Sequence, residues 1–451
     1  MKDNFIIFIH EYTELDMIMP FIDYVVTKHN VRVTLYTDYK LTMHYDVSQS
    51  ALQSGLYHNP NISDAACYHL EYLRKYHKIK LKYFLEEQPF RKHRYVLLLH
   101  DKVKQFQRRR MKTKKKFSNI DFMISLASMI MIRAAEYIIE KSIKGYVGKL
   151  NVSDKILMYF NGEISFPFSA IVDFAKKRDI RTVGYFQGFY IYSNLQVTNK
   201  TKSGKRGLKA RLLNIFAHRK RVYCACYLAG RTMRATFFSS NVALAFKEVD
   251  KILETVTPRF TKGWIKTFRT FLNKKEQFNY GDEKKTNVVF FLSQVKQNVK
   301  EREYYDIFNR LSEMNNINFV YKSHPRSTVA LGKGYNASNV NSFHLSVWAD
   351  VCILFGSSIA IHLLLENIPI IVPSFVHTNT TILEKHKICV TANSLDELIN
   401  ILKNNTKDDI RKLIDNARVE KFLNKYFDSH KDYEQIMQEY YEAVVGQKLA
   451  K

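Results

Sequence analysis

The chain has 451 residues, 46% of them hydrophobic, which is enough for about two globular domains of roughly 200 residues each. With 70 Lys and Arg against 43 Asp and Glu, its net charge of +27 favours an anionic partner: nucleic acid, acidic lipid or a phosphorylated substrate. Its five cysteines are scattered and odd in number, which is typical of buried thiols in a reducing compartment. The sequence has no apolar run of ~20 residues and no signal-peptide pattern, so we expect a cytoplasmic protein.

The first hundred residues predict a strand and helix alternation. Apolar runs at Phe5–Ile9 and Val31–Tyr36 predict strands, and Phe21–Lys28 between them predicts a helix. This β-α-β opening indicates a doubly wound N-terminal domain. Residues 63–84, rich in Tyr and Leu, predict a helix followed by a short strand or turn. The run Tyr95–His100 predicts a further strand.

Two basic segments interrupt the N-terminal half. Nine of the fifteen residues from 102 to 116 are Lys or Arg, and a second basic segment covers 199–221. Long blocks of like charge are usually solvated, but they also attract anionic lipid. Leu208, Leu212 and Leu213 would let the second segment lie on a bilayer as an amphipathic helix. Since no RNA- or DNA-binding motif accompanies the charge, we expect an anionic membrane surface as partner and no nucleic acid.

The second half follows a polar linker, 273–286, and again alternates strands with helices, which predicts a second parallel sheet. Its predicted strands are Asn287–Leu292, Asn318–Lys322, Val351–Phe355, Ile368–Val372 and Ile388–Val390, and its predicted helices are Glu303–Met314, Ile359–Glu366, 395–404 and 408–446.

Two polar blocks follow predicted strands of this second half. They are Lys322-Ser323-His324-Pro325-Arg326 and Gly356-Ser357-Ser358. Parallel sheets bind ligands at the carboxyl ends of their strands, and cations, hydroxyls and helix N-terminal amides suit a phosphate. Either block alone is also ordinary turn or capping chemistry. Together and in this order, they predict a nucleotide phosphate site.

Several blocks carry a family resemblance. Asn161-Gly162-Glu163, Arg181–Tyr190 and Asn194–Thr198 look like the N-terminal signature of the capsule polysaccharide synthesis family, whose members are Kdo transferases of bacterial capsule assembly. The later Leu292–Val295 and the two polar blocks match that family's order. The resemblance spans about residues 155 to 375.

The resemblance implies a GT-B-like fold, in which two doubly wound Rossmann-like domains face a cleft. We expect an N-terminal acceptor-side domain over 1–272, a nucleotide-sugar domain over 287–430, and a C-terminal helix within 431–451 that packs back on the first domain. The implied activity is transfer of a sugar such as Kdo from CMP or another nucleotide to a lipid-linked or growing glycan. It needs no cofactor and, since no Asp-x-Asp follows a strand, no metal. The enzyme would lie peripherally on the inner face of the cell membrane.

The implied site residues fall into three groups. The donor group is Gln294, Lys322, His324, Pro325, Arg326, Gly356, Ser357, Ser358 and His362. The acceptor group is Asn161, Gly162, Gly188 and Phe189. The catalytic candidates are Glu163, His324, Gln187, His10 and Glu11.

The chain departs from the family at the catalytic position. Where relatives place acidic residues before a glycine, it has Phe186 and Gln187, and an amide cannot act as a base or carboxylate nucleophile. Glu163, also after an apolar run, is the substitute candidate, although a Glu there also suits a helix N-terminus. His362 stands where many relatives carry a Glu, and it would contact either the ribose or base, or a partner helix.

Three alternatives follow. A sialyltransferase-like enzyme or a polyol-phosphate transferase would differ in its donor. A non-catalytic GT-B-like subunit that binds glycan is favoured by Gln187 and opposed by the intact phosphate-site residues.

Overall fold

The computed structural model describes residues 3–9, 12–37, 64–84, 90–93, 95–96, 99–100, 102–104, 106, 119–159, 166–186, 191, 222–232, 252–272, 278–292, 299–323, 335–337 and 340–446. These residues form two parallel α/β units, which confirms the predicted pair of doubly wound domains.

The N-terminal sheet has seven strands in the order β3-β2-β1-β4-β5-β6-β7. Every described pairing in it is parallel. The chain order reverses between β1 and β4, which makes their carboxyl ends the topological switch point. The strands are β1 (Asn4–Ile9), β2 (Arg32–Thr37), β3 (Leu81–Tyr83), β4 (Lys155–Tyr159), β5 (Arg181–Tyr185), β6 (Cys226–Ala229) and β7 (Ile252–Glu254).

Helices cover both faces of this sheet, which explains the continuous apolar run of β1. Phe5 and Ile7 point into one core, and Ile6 and Phe8 point into the other. The helices of this half are α1 (Tyr12–Lys28), α2 (Asp64–Tyr72), α3 (Asn119–Val147), α4 (Phe168–Lys176) and α5 (Lys262–Leu272). No described helix is long and apolar enough to cross a membrane.

The C-terminal sheet has six parallel strands in the order β10-β9-β8-β11-β12-β13, with its own switch point between β8 and β11. The strands are β8 (Thr286–Phe291), β9 (Ile317–Lys322), β10 (Tyr335–Asn336), β11 (Val351–Leu354), β12 (Ile370–Pro373) and β13 (Val390–Ala392). The helices are α6 (Glu301–Glu313), α7 (Ser342–Trp348), α8 (Ile359–Leu365), α9 (Ile382–His386), α10 (Leu395–Asn404), α11 (Lys407–Lys412), α12 (Asn416–Phe427) and α13 (Tyr433–Val445).

The final helix, α13, crosses back onto the N-terminal domain. The Tyr440 ring packs 5.0 Å from Phe21, between ring centroids. Arg181, at the start of β5, donates to the carbonyl oxygens of Val444 at 2.8 Å and Ala443 at 3.0 Å. These bonds satisfy carbonyls at the helix C-terminus, which have no partner within the helix itself.

Two sequence predictions were wrong at the level of elements. Tyr95, Val96, Leu99 and His100, predicted as strand, are helical. The predicted helix 408–446 is three helices, because the side chains of Asp415 and Asp432 cap the starts of α12 and α13.

Candidate functional site

The carboxyl ends of three adjacent C-terminal strands carry the candidate site. Phe291, at the end of β8, pairs in register with Lys322 of β9 on one side and with Leu354 of β11 on the other. Lys322 and Leu354 therefore lie at the same level of the sheet, on either side of β8, and the segment after Leu354 begins there. This is the edge at which open parallel sheets bind ligands.

Gly356-Ser357-Ser358 forms the turn between β11 and α8. Gly356 has φ of +68°, a left-handed conformation that glycine adopts without steric cost. Ser358 is the residue before the first turn of α8, yet its hydroxyl makes no capping hydrogen bond. Both serines are partly exposed. Ser358 therefore does not cap α8, which is the ordinary structural role of a serine at a helix start.

Lys322 is half-buried at the end of β9. Its Nζ donates to the carbonyl oxygen of Val340 at 2.5 Å, just before the cap of α7. This contact holds the ammonium group beside the strand ends. The rest of its block, His324, Pro325 and Arg326, lies outside the described residues, as does Gln294 after β8.

Two contacts were expected for His362, one with the ribose or base and one with a partner helix. The structure shows the contact with a helix. Its side chain is buried, and its Nε2 lies 2.9 Å from Ser346 Oγ of α7. The ring also packs edge-on against Phe343, with 4.4 Å between centroids. Burial, with Arg269 and Arg259 nearby, lowers the pKa of His362 to about 3. Its Nε2 thus bonds to a neighbouring helix, while its Nδ1 has no hydrogen-bond partner among the described residues. The proposed site does not use it.

His377 is a residue of this edge that the sequence did not single out. It follows β12 and is only 6% exposed. Its ring stacks on Phe355, the residue before Gly356, with 5.4 Å between centroids and 19° between planes. It also forms an isolated bridge with Val299, which lies on the chain between β8 and α6. His377 therefore stands where the connections after β8, β11 and β12 meet.

The two ring nitrogens of His377 have hydrogen-bonding capacity that no described residue satisfies. By geometry neither ring nitrogen has a hydrogen-bond partner within the part of the chain that the structure describes, although the backbone of Asn379 is close enough to act against the lowering of the His377 pKa. The nearest carboxylate oxygen, Glu384 Oε2, is 4.0 Å from its Nε2. Burial lowers the pKa of His377, against the opposing effect of Glu384, so the ring is neutral at physiological pH. A neutral imidazole can donate one hydrogen bond to a ligand and accept another.

The acceptor-side candidates follow the corresponding edge of the N-terminal sheet. β1 and β4 pair in register through Phe8 and Met158, and β4 and β5 pair through Tyr159 and Tyr185. His10, Glu11, Asn161, Gly162, Glu163, Gln187, Gly188 and Phe189 come next in sequence after these three strands, and they lie outside the described residues. Tyr185 is a core residue, buried, with its hydroxyl donating to the Phe8 carbonyl at 3.3 Å.

One main-chain contact joins the two domains at these edges. The N–H of Ile382, at the start of α9, donates to the carbonyl oxygen of Ile191 at 2.6 Å. Ile191 belongs to the chain that leaves β5, and Ile382 to the chain that leaves β12. The connections after these two strands therefore meet across the domain boundary.

Among the described residues, no three His, Cys, Asp or Glu side chains are grouped so that they could hold a metal ion. A cavity of about 620 Å³ lies away from the candidate edge, since Asn367, Ile368 and Pro369, which line it, precede β12 at its amino end.

No family model matches the chain, and a search of curated proteins finds no match. Solved structures do match. A Listeria monocytogenes protein assigned as a UDP-N-acetylglucosamine 2-epimerase has a TM-score of 0.50 at 9% identity, over 100% of this chain and 98% of that chain. Another UDP-N-acetylglucosamine 2-epimerase has a TM-score of 0.49 at 10% identity, with the same coverage. The spinosyn forosaminyltransferase SpnP has a TM-score of 0.44 at 9% identity, over 98% and 100%. Identities this low bear on the fold alone, and the fold of the described residues is GT-B-like.

Proposed function

We propose that this chain is a glycosyltransferase of bacterial surface polysaccharide synthesis. It holds a nucleotide-sugar at the carboxyl edge of the C-terminal sheet and transfers the sugar to a glycan bound by the N-terminal domain. The observation that carries the proposal is the convergence of Lys322, Gly356-Ser357-Ser358 and His377 on neighbouring strand ends. The contact between Ile191 and Ile382 supports an acceptor on the opposite side.

The proposed donor is CMP-Kdo, and the proposed acceptor is a lipid-linked or growing glycan. Support for this choice comes from the order of the polar blocks that resembles the capsule polysaccharide synthesis family. The location that we propose is the inner face of the cell membrane, where such acceptors are found. Support for it comes from the net charge of +27 and from the basic segments 102–116 and 199–221.

The chemistry that the donor site can supply is electrostatic. As the glycosidic bond breaks, negative charge builds on the phosphate of the leaving nucleotide. The Lys322 ammonium and the hydroxyls of Ser357 and Ser358 can stabilise that charge without a metal, with His324 and Arg326 in the same role. His377 can donate one further hydrogen bond. Glu163 is the proposed base on the acceptor side, with His10 and Glu11 as further candidates, because Gln187 cannot accept a proton.

A thermal-shift screen against CMP, CDP, UDP, GDP and ADP, with and without EDTA, tests this function. We expect CMP to stabilise the wild-type protein, EDTA to have no effect, and His324→Ala to abolish the shift, since a ligand that binds only the folded state raises its melting temperature. A shift with CDP alone would favour the polyol-phosphate alternative. No response to any nucleotide would overturn the proposed function in favour of the non-catalytic glycan-binding subunit.

A further inference from the structure

The long helix α3 is apolar on the face that it presents to solvent. Seven of its residues between 123 and 138 are exposed, and all seven are apolar. The five large ones are 40 to 64% exposed: Met123, Ile130, Met131, Tyr137 and Ile138. Met123, Ile130 and Tyr137 are seven residues apart in turn, as are Met131 and Ile138, so they form one stripe along the helix. At 1.5 Å per residue this stripe is roughly 22 Å long.

The part of the fold that the structure describes does not account for this stripe. The opposite face of α3 is already buried, and Ile139, Ile143 and Val147 belong to the core beneath the N-terminal sheet. A helix on the surface of a soluble domain normally places polar residues on its outer face. Contiguous apolar exposure of this kind marks an interaction surface.

The charge around the stripe indicates which partner it fits. Lys141 and Lys144 are exposed at its C-terminal end, and Lys141 Nζ lies 4.8 Å from the centroid of the Tyr137 ring. The sequence from 108 to 116, shortly before the helix, contains seven Lys and Arg. A net charge of +27 opposes association with a second copy and favours an anionic surface.

The position of α3 is compatible with access to the acceptor edge. The helix belongs to the crossover from β3 to β4, and such crossover helices run antiparallel to their strands. Only its second half contributes to the core around β1 and β4. The first half, where the stripe begins, therefore extends toward the carboxyl ends of the strands, the edge that the acceptor-side candidates follow in sequence.

We propose that the exposed face of α3 and its flanking lysines bind the surface of an anionic lipid bilayer, with the helix lying in the plane of the interface. Apolar side chains inserted between head groups and lysines paired with lipid phosphates are the two contributions that hold such helices. The inference rests on the membrane location in the proposed function, but it needs neither nucleotide binding nor transfer.

Co-sedimentation of the full chain with vesicles tests this surface. We expect binding to phosphatidylcholine vesicles that contain phosphatidylglycerol, weaker binding at high salt, and little binding to phosphatidylcholine alone. The variant Met123→Gln, Ile130→Gln, Tyr137→Gln should bind the anionic vesicles on the order of a hundredfold more weakly. A matched control, Val347→Gln with Leu413→Gln, changes exposed apolar residues of the C-terminal domain and should bind like the wild type.

Two results would overturn the proposal. One is a triple variant that keeps wild-type vesicle binding. The other is a wild-type protein that ignores anionic vesicles and sediments as a dimer that the triple variant loses, which would assign the stripe to a second copy. Nucleotide shifts measured on the same samples separate this inference from the enzyme function: they are expected to be equal in wild type and variant. Vesicle binding without any nucleotide shift would overturn the function alone.

Discussion

His362 shows how a residue's surroundings fix its charge. Its Nε2 is satisfied by Ser346, its ring is buried, and two arginines oppose a positive charge on it. A donor-site histidine would instead present a nitrogen to the phosphate. His377 comes nearer to that description, because both of its nitrogens lack well-formed hydrogen bonds within the described part of the chain.

The depressed pKa of His362 predicts a pH dependence of stability. The folded state holds the ring neutral down to a pKa of about 3, whereas the unfolded chain protonates near 6.5. Between these values the unfolded state binds more protons, so the free energy of unfolding falls as the pH falls. The part due to this ring is about 1.6 kcal/mol between pH 6.5 and pH 5. Urea unfolding at both pH values measures it, and His362→Gln should show a shallower dependence. An identical slope in the variant would contradict the assignment.

The sequence predicted some residues of the candidate edge, and it did not single out His377, for a physical reason. Lys322 and Gly356-Ser357-Ser358 were predicted because they lie where an apolar strand run ends. His377 was missed because a three-residue turn separates it from β12, and its role depends on stacking against Phe355 of another strand connection. Such a contact joins residues of different elements and leaves no periodicity in the sequence.

At the scale of elements, α13 acts as a clamp on the N-terminal domain. Its Tyr440 and Tyr441 pack against Phe21 and Phe5, and Arg181 bonds to its last turn. A helix held by tertiary packing of this kind contributes stability to the domain that it covers.

Replacing Tyr440 by Ala should therefore destabilise the protein by about 3 to 5 kcal/mol, since it removes a buried ring from the contact between α13 and α1. Urea unfolding measures the loss. Tyr280→Ala, at a residue that is 37% exposed, is the control and should cost much less. A loss in Tyr440→Ala no larger than in the control would show that α13 is not a stabilising clamp.

Helices with a strong apolar pattern were predictable, but breaks within one continuous amphipathic pattern were not. The helix 395–404 was predicted at its observed bounds, and in the structure the Ser394 side chain caps its start. The breaks between α11, α12 and α13 were missed because the pattern there stays amphipathic, and only the capping of α12 and α13 by Asp415 and Asp432 ends it. α3 was not predicted: its apolar residues occupy both faces, so it lacks the single stripe of an ordinary surface helix.

For the whole molecule, the fold was predictable because the strands of a parallel sheet have a simple sequence pattern. Their strands read as short apolar runs, separated by helices, in both halves of the chain. The sheet orders, each with one reversal, then place the two switch points. One part of the relation between the domains was predicted, the C-terminal helix that packs back on the first domain. The contact of Ile382 with Ile191 and the ion pair between Arg269 and Glu366 were not, since each joins residues far apart in the sequence.

The central claim is that a nucleotide binds at the carboxyl edge of the C-terminal sheet. Calorimetric titration of the nucleotide that gives the largest thermal shift, into wild type and into the double variant Ser357→Ala, Ser358→Ala, tests it most directly. Each hydroxyl bonded to a charged phosphate contributes about 1.5 kcal/mol or more, so the double variant should bind at least ~100-fold more weakly. Ser312→Ala, which removes a hydroxyl bonded only to the Phe308 carbonyl within α6, should bind like the wild type. Equal affinity in all three proteins would contradict the claim and place the nucleotide elsewhere.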